Sequence, residues 1–153
     1  MSLIKVKEFF KKYNKEQDIM EFSESSATVN DAAYVIGCKD ADIAKTLSFY
    51  VSNQPVLVVL AGDKKVDNHK YKDYFHKKAR MIPSEKLESV IGHQAGGICP
   101  FGINDGIKVY LDLSLKEHEF FYPACGSSNS AIRLTLDELE KYSNFEEWID
   151  VSK

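Results

Sequence analysis

The spacing of apolar and polar positions divides the chain into short helices and strands in irregular succession. Residues 3–14 put Val6, Phe9, Phe10 and Tyr13 at i, i+3, i+4 and i+7, one apolar helical face. A short strand over 19–22 follows. Thr28 is placed to cap a second helix in which Val29, Ala32, Ala33 and Ile36 share a face, and Gly37 ends it. Asp40 opens a helical turn over 41–46 that carries Lys45. Two β-rich runs, 47–51 and 56–61, are joined by Ser52-Asn53-Gln54-Pro55, hairpin-like spacing with turn residues in place, and Gly62-Asp63 breaks the second run. Residues 68–77 read as a helix with Tyr71, Tyr74 and Phe75 inward, 80–82 as a brief strand, and Ser84 as the cap of a helix running to 91. The stretch 92–106 is glycine-rich and without period, a long loop. Val109, Leu111 and Leu113 alternate in a strand over 108–113, and 119–124 and 130–134 are two more. Thr135 and Glu138 have capping-box spacing ahead of Leu136 and Leu139, which predicts a last helix. Strands and helices mix without strict βαβ alternation. The expected fold is α+β, a mixed, curved sheet wrapped by helices, and with no repeat or linker it is one domain over 1–153.

Composition narrows the classes. At 153 residues, 44% hydrophobic and 28% charged, the chain can bury one substantial core. Its longest strongly apolar run, 55–61, is too short to span a bilayer, and Lys5, Lys7, Lys11 and Lys12 interrupt any secretory signal, so the expected setting is cytoplasmic and no membrane partner is expected. Cys38, Cys99 and Cys125 are odd in number and widely spaced, which is not a disulfide framework. The net charge of −3 argues against a grip on a long duplex. Contact with RNA would be confined to a short end, with Lys64, Lys65, Lys70, Lys72, Lys77 and Lys78 as local helpers or simply as solvated surface.

Four segments are candidates for chemistry. In Gly96-Gly97-Ile98-Cys99-Pro100-Phe101-Gly102, adjacent glycines let backbone approach a ligand and aim N–H groups at a carbonyl or oxyanion. The same residues suit a tight structural turn with Phe101 plugging the core. Lys45 can serve as a point charge for a phosphate or carbonyl, or lie exposed beside Asp42. Cys125-Gly126-Ser127-Ser128-Asn129-Ser130 offers hydroxyls and an amide for a small pocket or for turn hydrogen bonds. Asp112, between Leu111 and Leu113, is a site carboxylate or an outward strand residue. No histidine pattern suggests zinc, and no GxSxG elbow suggests a serine triad; Cys99 or Cys125 with His93 is the remaining nucleophilic combination.

In order along the chain, Ala41-Asp42-Ile43-Ala44-Lys45-Thr46-Leu47, Val58-Val59-Leu60-Ala61-Gly62-Asp63, the glycine-rich segment 96–102, Val109-Tyr110-Leu111-Asp112 and Cys125-Gly126-Ser127 together resemble the YbaK-like editing domains associated with aminoacyl-tRNA synthetases, over roughly residues 20–142. The resemblance implies a hydrolase that frees a wrong small amino acid from tRNA, typically tRNA for proline, without metal, cofactor or covalent protein intermediate. It implies Lys45 as the functional lysine and Gly97 as the centre of a carbonyl-holding loop. Thr46, Gly96, Ile98, Pro100, Phe101, Gly102, Asp112, Gly126 and Ser127 would line or support the substrate site. The implied partner is a tRNA acceptor end bearing its amino acid, with a synthetase as a further one. The family's cysteine-specific branch carries a basic segment after the glycine matching Gly126, where this chain has Ser127, Ser128, Asn129, Ser130 and Ala131, so the amino acid removed stays open. A non-catalytic module that binds an aminoacyl-adenosine-like ligand is the competing expectation.

Overall fold

The run from Val56 to Ala61 contains no polar side chain, and the fold is built around it. The computed structural model describes residues 2–153. In strand β3 (Gln54–Ala61) every residue from Val56 onward is at most 3% exposed, as expected of a strand covered on both faces. It pairs antiparallel with β2 (Ile43–Val51) and parallel with β4 (Lys108–Asp112). β5 (Phe120–Pro123) runs parallel to β2, and β7 (Leu134–Thr135) antiparallel to β5. With β8 (Glu147–Ile149) the order is β7-β5-β2-β3-β4-β8, while β1 (Met20–Glu21) and β6 (Ser130–Ala131) form a separate pair.

Helices cover both faces of this curled, mixed sheet, the architecture expected. On one face Val6 and Phe10 of α1 (Ser2–Lys11) pack with Leu57, Val59 and Ala61. On the other, Tyr71 of α3 (Asn68–Phe75) packs with Phe49, Val56 and Val58. Helix α2 (Val29–Ile36) lays Ala32 and Ala33 on Ile43 at one end of the sheet. Thr28 caps it by accepting from the Asp31 N–H at 3.0 Å, and Gly37 ends it in the left-handed region. Among the described residues no helix is long and apolar enough to cross a membrane.

Several boundaries differ from expectation for physical reasons. Lys45 is not on a helical turn. The turn stops at Asp42, and β2 begins at Ile43. The hairpin loop is only Ser52 and Asn53, both at positive φ (50° and 68°), the primed turn that matches strand twist. Gln54 and Pro55 therefore join β3; Pro55 sits opposite Tyr50 and one residue before the β4 ladder starts, where no N–H is required of it. Ser84 is no cap: Pro83 precedes a 3-10 turn that leads into α4 (Leu87–Val90). The strand expected over 130–134 is the two short strands β6 and β7. Strand β8 was not foreseen, because Glu146 and Glu147 mask an edge strand in which only Ile149 is fully buried.

The last helix, α5 (Leu136–Ser143), carries the reciprocal capping box expected of it. The Thr135 hydroxyl accepts from the Glu138 N–H at 3.2 Å, and Glu138 accepts from the Thr135 N–H at 3.0 Å. Thr135→Ala is expected to cost about 1 kcal/mol of stability, read as a lower urea midpoint at unchanged slope.

Candidate active site

Parallel strands β2 and β5 stay together for two positions, Ile43↔Tyr122 and Ala44↔Pro123, and then part. Beyond them Ala124 bridges to Ala131, while residues 80–82 take over the edge of β2, with Ile82 N–H donating to Ser48 O at 3.1 Å and Tyr50 N–H to Arg80 O at 2.9 Å. Thr46 shares the two-residue period of Ser48 and Tyr50, so its main-chain N–H and C=O face the gap between these two partners. Its hydroxyl oxygen is buried and has no hydrogen-bond partner among the described residues. A cavity of about 220 Å³ occupies the fork.

Lys45, Thr46, Gly96 and Ile98 all line this cavity. The Lys45 ammonium donates to the carbonyls of Gly62 (3.4 Å) and Lys64, which leaves one of its three protons for a ligand. Asp42 does not pair with it; that carboxylate lies 3.4 Å from His118. Burial holds the Lys45 amine below the ordinary lysine value and the nearby Lys65 charge adds to this, while Asp63 opposes it.

The glycine loop has a division of labour that the residue types did not reveal. Gly97 N–H is spent on Gln94 O at 3.0 Å, closing a turn that needs Gly96 at φ +88°. Gly97 O accepts from Gly126 N–H at 3.0 Å, and a Cβ at Gly97 would stand 2.5 Å from the Gly126 carbonyl carbon and the Ser127 nitrogen. Gly97 is thus the joint between two loops and does not border the cavity. The N–H groups on either side of it, Gly96 and Ile98, find no acceptor among the described residues. Both residues line the cavity.

The remaining expected positions lie elsewhere. Phe101 is 0% exposed and packs with Phe10, ring centroids 4.9 Å apart, so it plugs the core instead of facing a substrate. Pro100 and Gly102 border a separate open cleft of about 680 Å³ beside α1. Gly126, at φ +89°, presses against the Ser2 carbonyl. Ser127 bonds within its own loop, to Asn129 at 2.9 Å and Ser130 at 2.6 Å. Asp112 is fully buried, holding Ser114, Val151 and Ser152. In their place the cavity is walled by Ala27, Thr28, Val29 and Ala32 at the start of α2 and by Tyr122, Ala124, Ser130 and Ala131. Small apolar side chains carry no chemical signal in a sequence; only the Thr28 cap hinted at where that helix begins.

The structure does bring a cysteine and a histidine together. Cys99 Sγ is 3.5 Å from His93 Nε2, yet both residues are 0% exposed and burial pushes the thiol up to about 12. A sealed thiol so reluctant to ionise is no nucleophile. Since Phe101 O can only accept, His93 Nε2, 2.6 Å away, carries the proton, and Nδ1 is buried without a partner.

Two predictions follow from this geometry. Gly97→Ala should lower the melting temperature as well as turnover, because the added methyl parts two loops; an unchanged melting temperature with lost turnover would return Gly97 to direct substrate contact. Burial, reinforced by the Lys5 charge and opposed by the bond to Phe101, holds the His93 imidazole below its ordinary 6.5. The unfolded chain therefore takes up this proton first, and stability should fall as pH drops below about 6.5. His93→Gln, neutral and still able to donate to Phe101 O, should flatten that part of the pH profile in denaturant titrations.

The chain is similar to several known proteins. Residues 23–142 match the model of the aminoacyl-tRNA editing domain. An uncharacterized protein of Bacillus subtilis, YwhH, is 50% identical over 155 residues, covering 100% of this chain and 98% of that protein. The proline–tRNA ligase of Ligilactobacillus salivarius is 29% identical over 94 residues, 60% of this chain but only 16% of the ligase. The fold of a solved structure described as a candidate trans-editing enzyme for prolyl-tRNA synthetase superposes with a TM-score of 0.88 at 23% identity, over 99% of this chain and 97% of that one. A hypothetical protein of known structure gives 0.84 at 24% identity over 97% and 99%. With its family model matched across both loops and the strand that carries Lys45, the chain belongs to the aminoacyl-tRNA editing domains.

Proposed function

We propose that the fork cavity is the deacylation site of an editing hydrolase acting in trans on mischarged tRNA. One observation supports this reading: Lys45, whose ammonium is held by two main-chain carbonyls, and Gly96 and Ile98, whose N–H groups find no acceptor among the described residues, line the same small cavity. At about 220 Å³, it is below the roughly 300–1,000 Å³ of pockets that enclose drug-sized ligands. It suits an aminoacyl group of a few heavy atoms, with the terminal adenosine left at the mouth. The alanines and valine of the wall select against bulk. The relationship to proline–tRNA ligases points to tRNA for proline carrying a wrong small amino acid as the substrate.

The reaction then asks little of the protein. Water attacks the ester carbonyl carbon, and the carbonyl oxygen takes up negative charge within reach of the Gly96 and Ile98 N–H groups. The bond from carbonyl carbon to ribose oxygen breaks, and the ribose oxygen takes a proton, leaving free amino acid and intact tRNA. The neighbouring ribose hydroxyl relays the proton, a task for which the cavity offers no histidine or carboxylate. Lys45, tied to two main-chain carbonyls, acts as a fixed positive charge that positions the substrate and not as a base.

A panel of mischarged tRNAs incubated with the protein tests the proposal. The wild type should release a small amino acid, and Lys45→Ala, with the fold intact by circular dichroism, should be slower by about 100-fold, the scale of a lost positioning contact. Protection of the ester by the wild type would instead identify a binding module. Turnover should survive prolonged treatment with EDTA; loss on chelation and recovery with a divalent ion would overturn the metal-free mechanism.

A further inference from the structure

The turn that receives the Lys45 ammonium is clamped at both ends by one buried carboxylate. Asp112 closes β4 with 0% exposure. Its Oδ2 accepts from the Ser114 N–H at 3.0 Å and the Ser152 hydroxyl at 2.6 Å, and its Oδ1 accepts from the Val151 N–H at 2.8 Å. The first of these bonds leads to the start of the turn: Ser114 Oγ accepts from the Ala61 N–H at 3.1 Å, and Ala61 O accepts from the Lys64 N–H at 3.0 Å. The other two lead to its end. Residues 151–153 run antiparallel to 65–67, through Asp67 N–H to Val151 O at 2.7 Å and Lys65 and Lys153 exchanging bonds of 2.9 and 3.2 Å. Between these anchor points lie Gly62 and Lys64, whose carbonyls hold Lys45.

We propose that Asp112 is a positioning residue for Lys45: by tying Ser114 and residues 151–152 to one point, it fixes the two carbonyls that set where the ammonium of this cavity-lining residue stands. The residue type fits the task. Three donors from two segments converge on it, and a carboxylate has two oxygens to receive them, whereas an asparagine has one acceptor oxygen and would set its NH2 donors against a donor already in place. Gly62 completes the clamp, since a Cβ there would collide with the Asp40 carbonyl and meet Val29 Cγ1 at 2.9 Å, which keeps the turn against α2. The consequence of the placement for turnover rests on the editing function proposed above; the placement itself does not.

Ser152→Ala and Ser114→Ala each remove one arm of the clamp while keeping the full chain. The first readout needs no turnover. In a carbon-13 titration of the Lys45 ε-carbon, either variant should move the midpoint upward toward the ordinary lysine value, as a loosened turn lets water reach an amine whose charged neighbours are Asp63 and Lys65. An unchanged midpoint in both variants would overturn the proposal. The second readout is a double-mutant cycle on binding of a non-hydrolysable alanyl-amide analogue of the terminal adenosine. Ser152→Ala should weaken binding roughly five- to tenfold in the wild type and have little effect in the Lys45→Ala background, the coupling expected within one hydrogen-bonded network. Equal losses in both backgrounds would make Asp112 a stability residue only. Failure of the wild type to bind the analogue or to deacylate any tRNA would sink the editing function, and the Lys45 titration would still decide the clamp.

Discussion

The parting of two parallel strands is the constraint on which the site depends. While β2 and β5 are paired, each satisfies the other's main chain; past Ala44 and Pro123 they are drawn to different partners. A sheet edge left open inside a protein normally costs free energy, because unpaired N–H and C=O groups lose water without gaining a partner. Here that edge, the Thr46 hydroxyl and the amides beside Gly97 are uncommitted around one small volume. Concentrating unsatisfied polar groups in one place is what a binding site does and what a core avoids.

The sequence made the fold class and most elements legible because they rest on local chemistry. The Thr28 cap, the Thr135–Glu138 box, the glycine stop at Gly37 and the unbroken apolar run of β3 are each decided by residues within a few positions. What stayed hidden depends on distant pairing. Lys45 reads as helical because Asp40 starts a turn, yet the ladder with β3, which pairs Lys45 with Leu60, overrides that local preference. The pairing of 65–67 with 151–153 joins segments more than eighty residues apart and leaves no pattern in either. Asp112 was legible as unusual and illegible in role. Flanked by leucines, it suggested a site carboxylate or an outward residue, and its side chain turns inward onto Ser114, Val151 and Ser152.

The candidate site was half legible for a similar reason. The glycine segment announced close backbone approach, but the approach is of loop to loop at Gly97 and of loop to α1 at Gly102, where a Cβ would stand 3.0 Å from the Lys5 carbonyl. Only Gly96 and Ile98 turn toward the cavity. Glycine in a sequence marks where something comes near and does not say what. Phe101 shows the same ambiguity resolved the other way: its ring belongs to an aromatic cluster with Phe9, Phe10 and Tyr142 that α1 and α5 close.

The helix outside the family match, α1, supports the loops at the cavity without lining it. It backs both loops at once, Gly102 against Lys5 and Gly126 against Ser2, and its Val6 and Phe10 are fully buried beneath them. Two donors aimed at one oxygen are effective only if they do not reorganise as charge develops, and a loop of glycines is poorly suited to staying still by itself. Rigidity has to be imposed from behind. The buried His93 contributes by donating to the Phe101 carbonyl within the same loop, which ties the apolar support to the polar edge. In the proposed clamp Asp112 performs the corresponding task for the turn that receives Lys45. Lys45 is borne by the paired strand β2 and the amides by a glycine-rich loop, and both the turn that receives the one and the loop that carries the other are held by groups buried behind them.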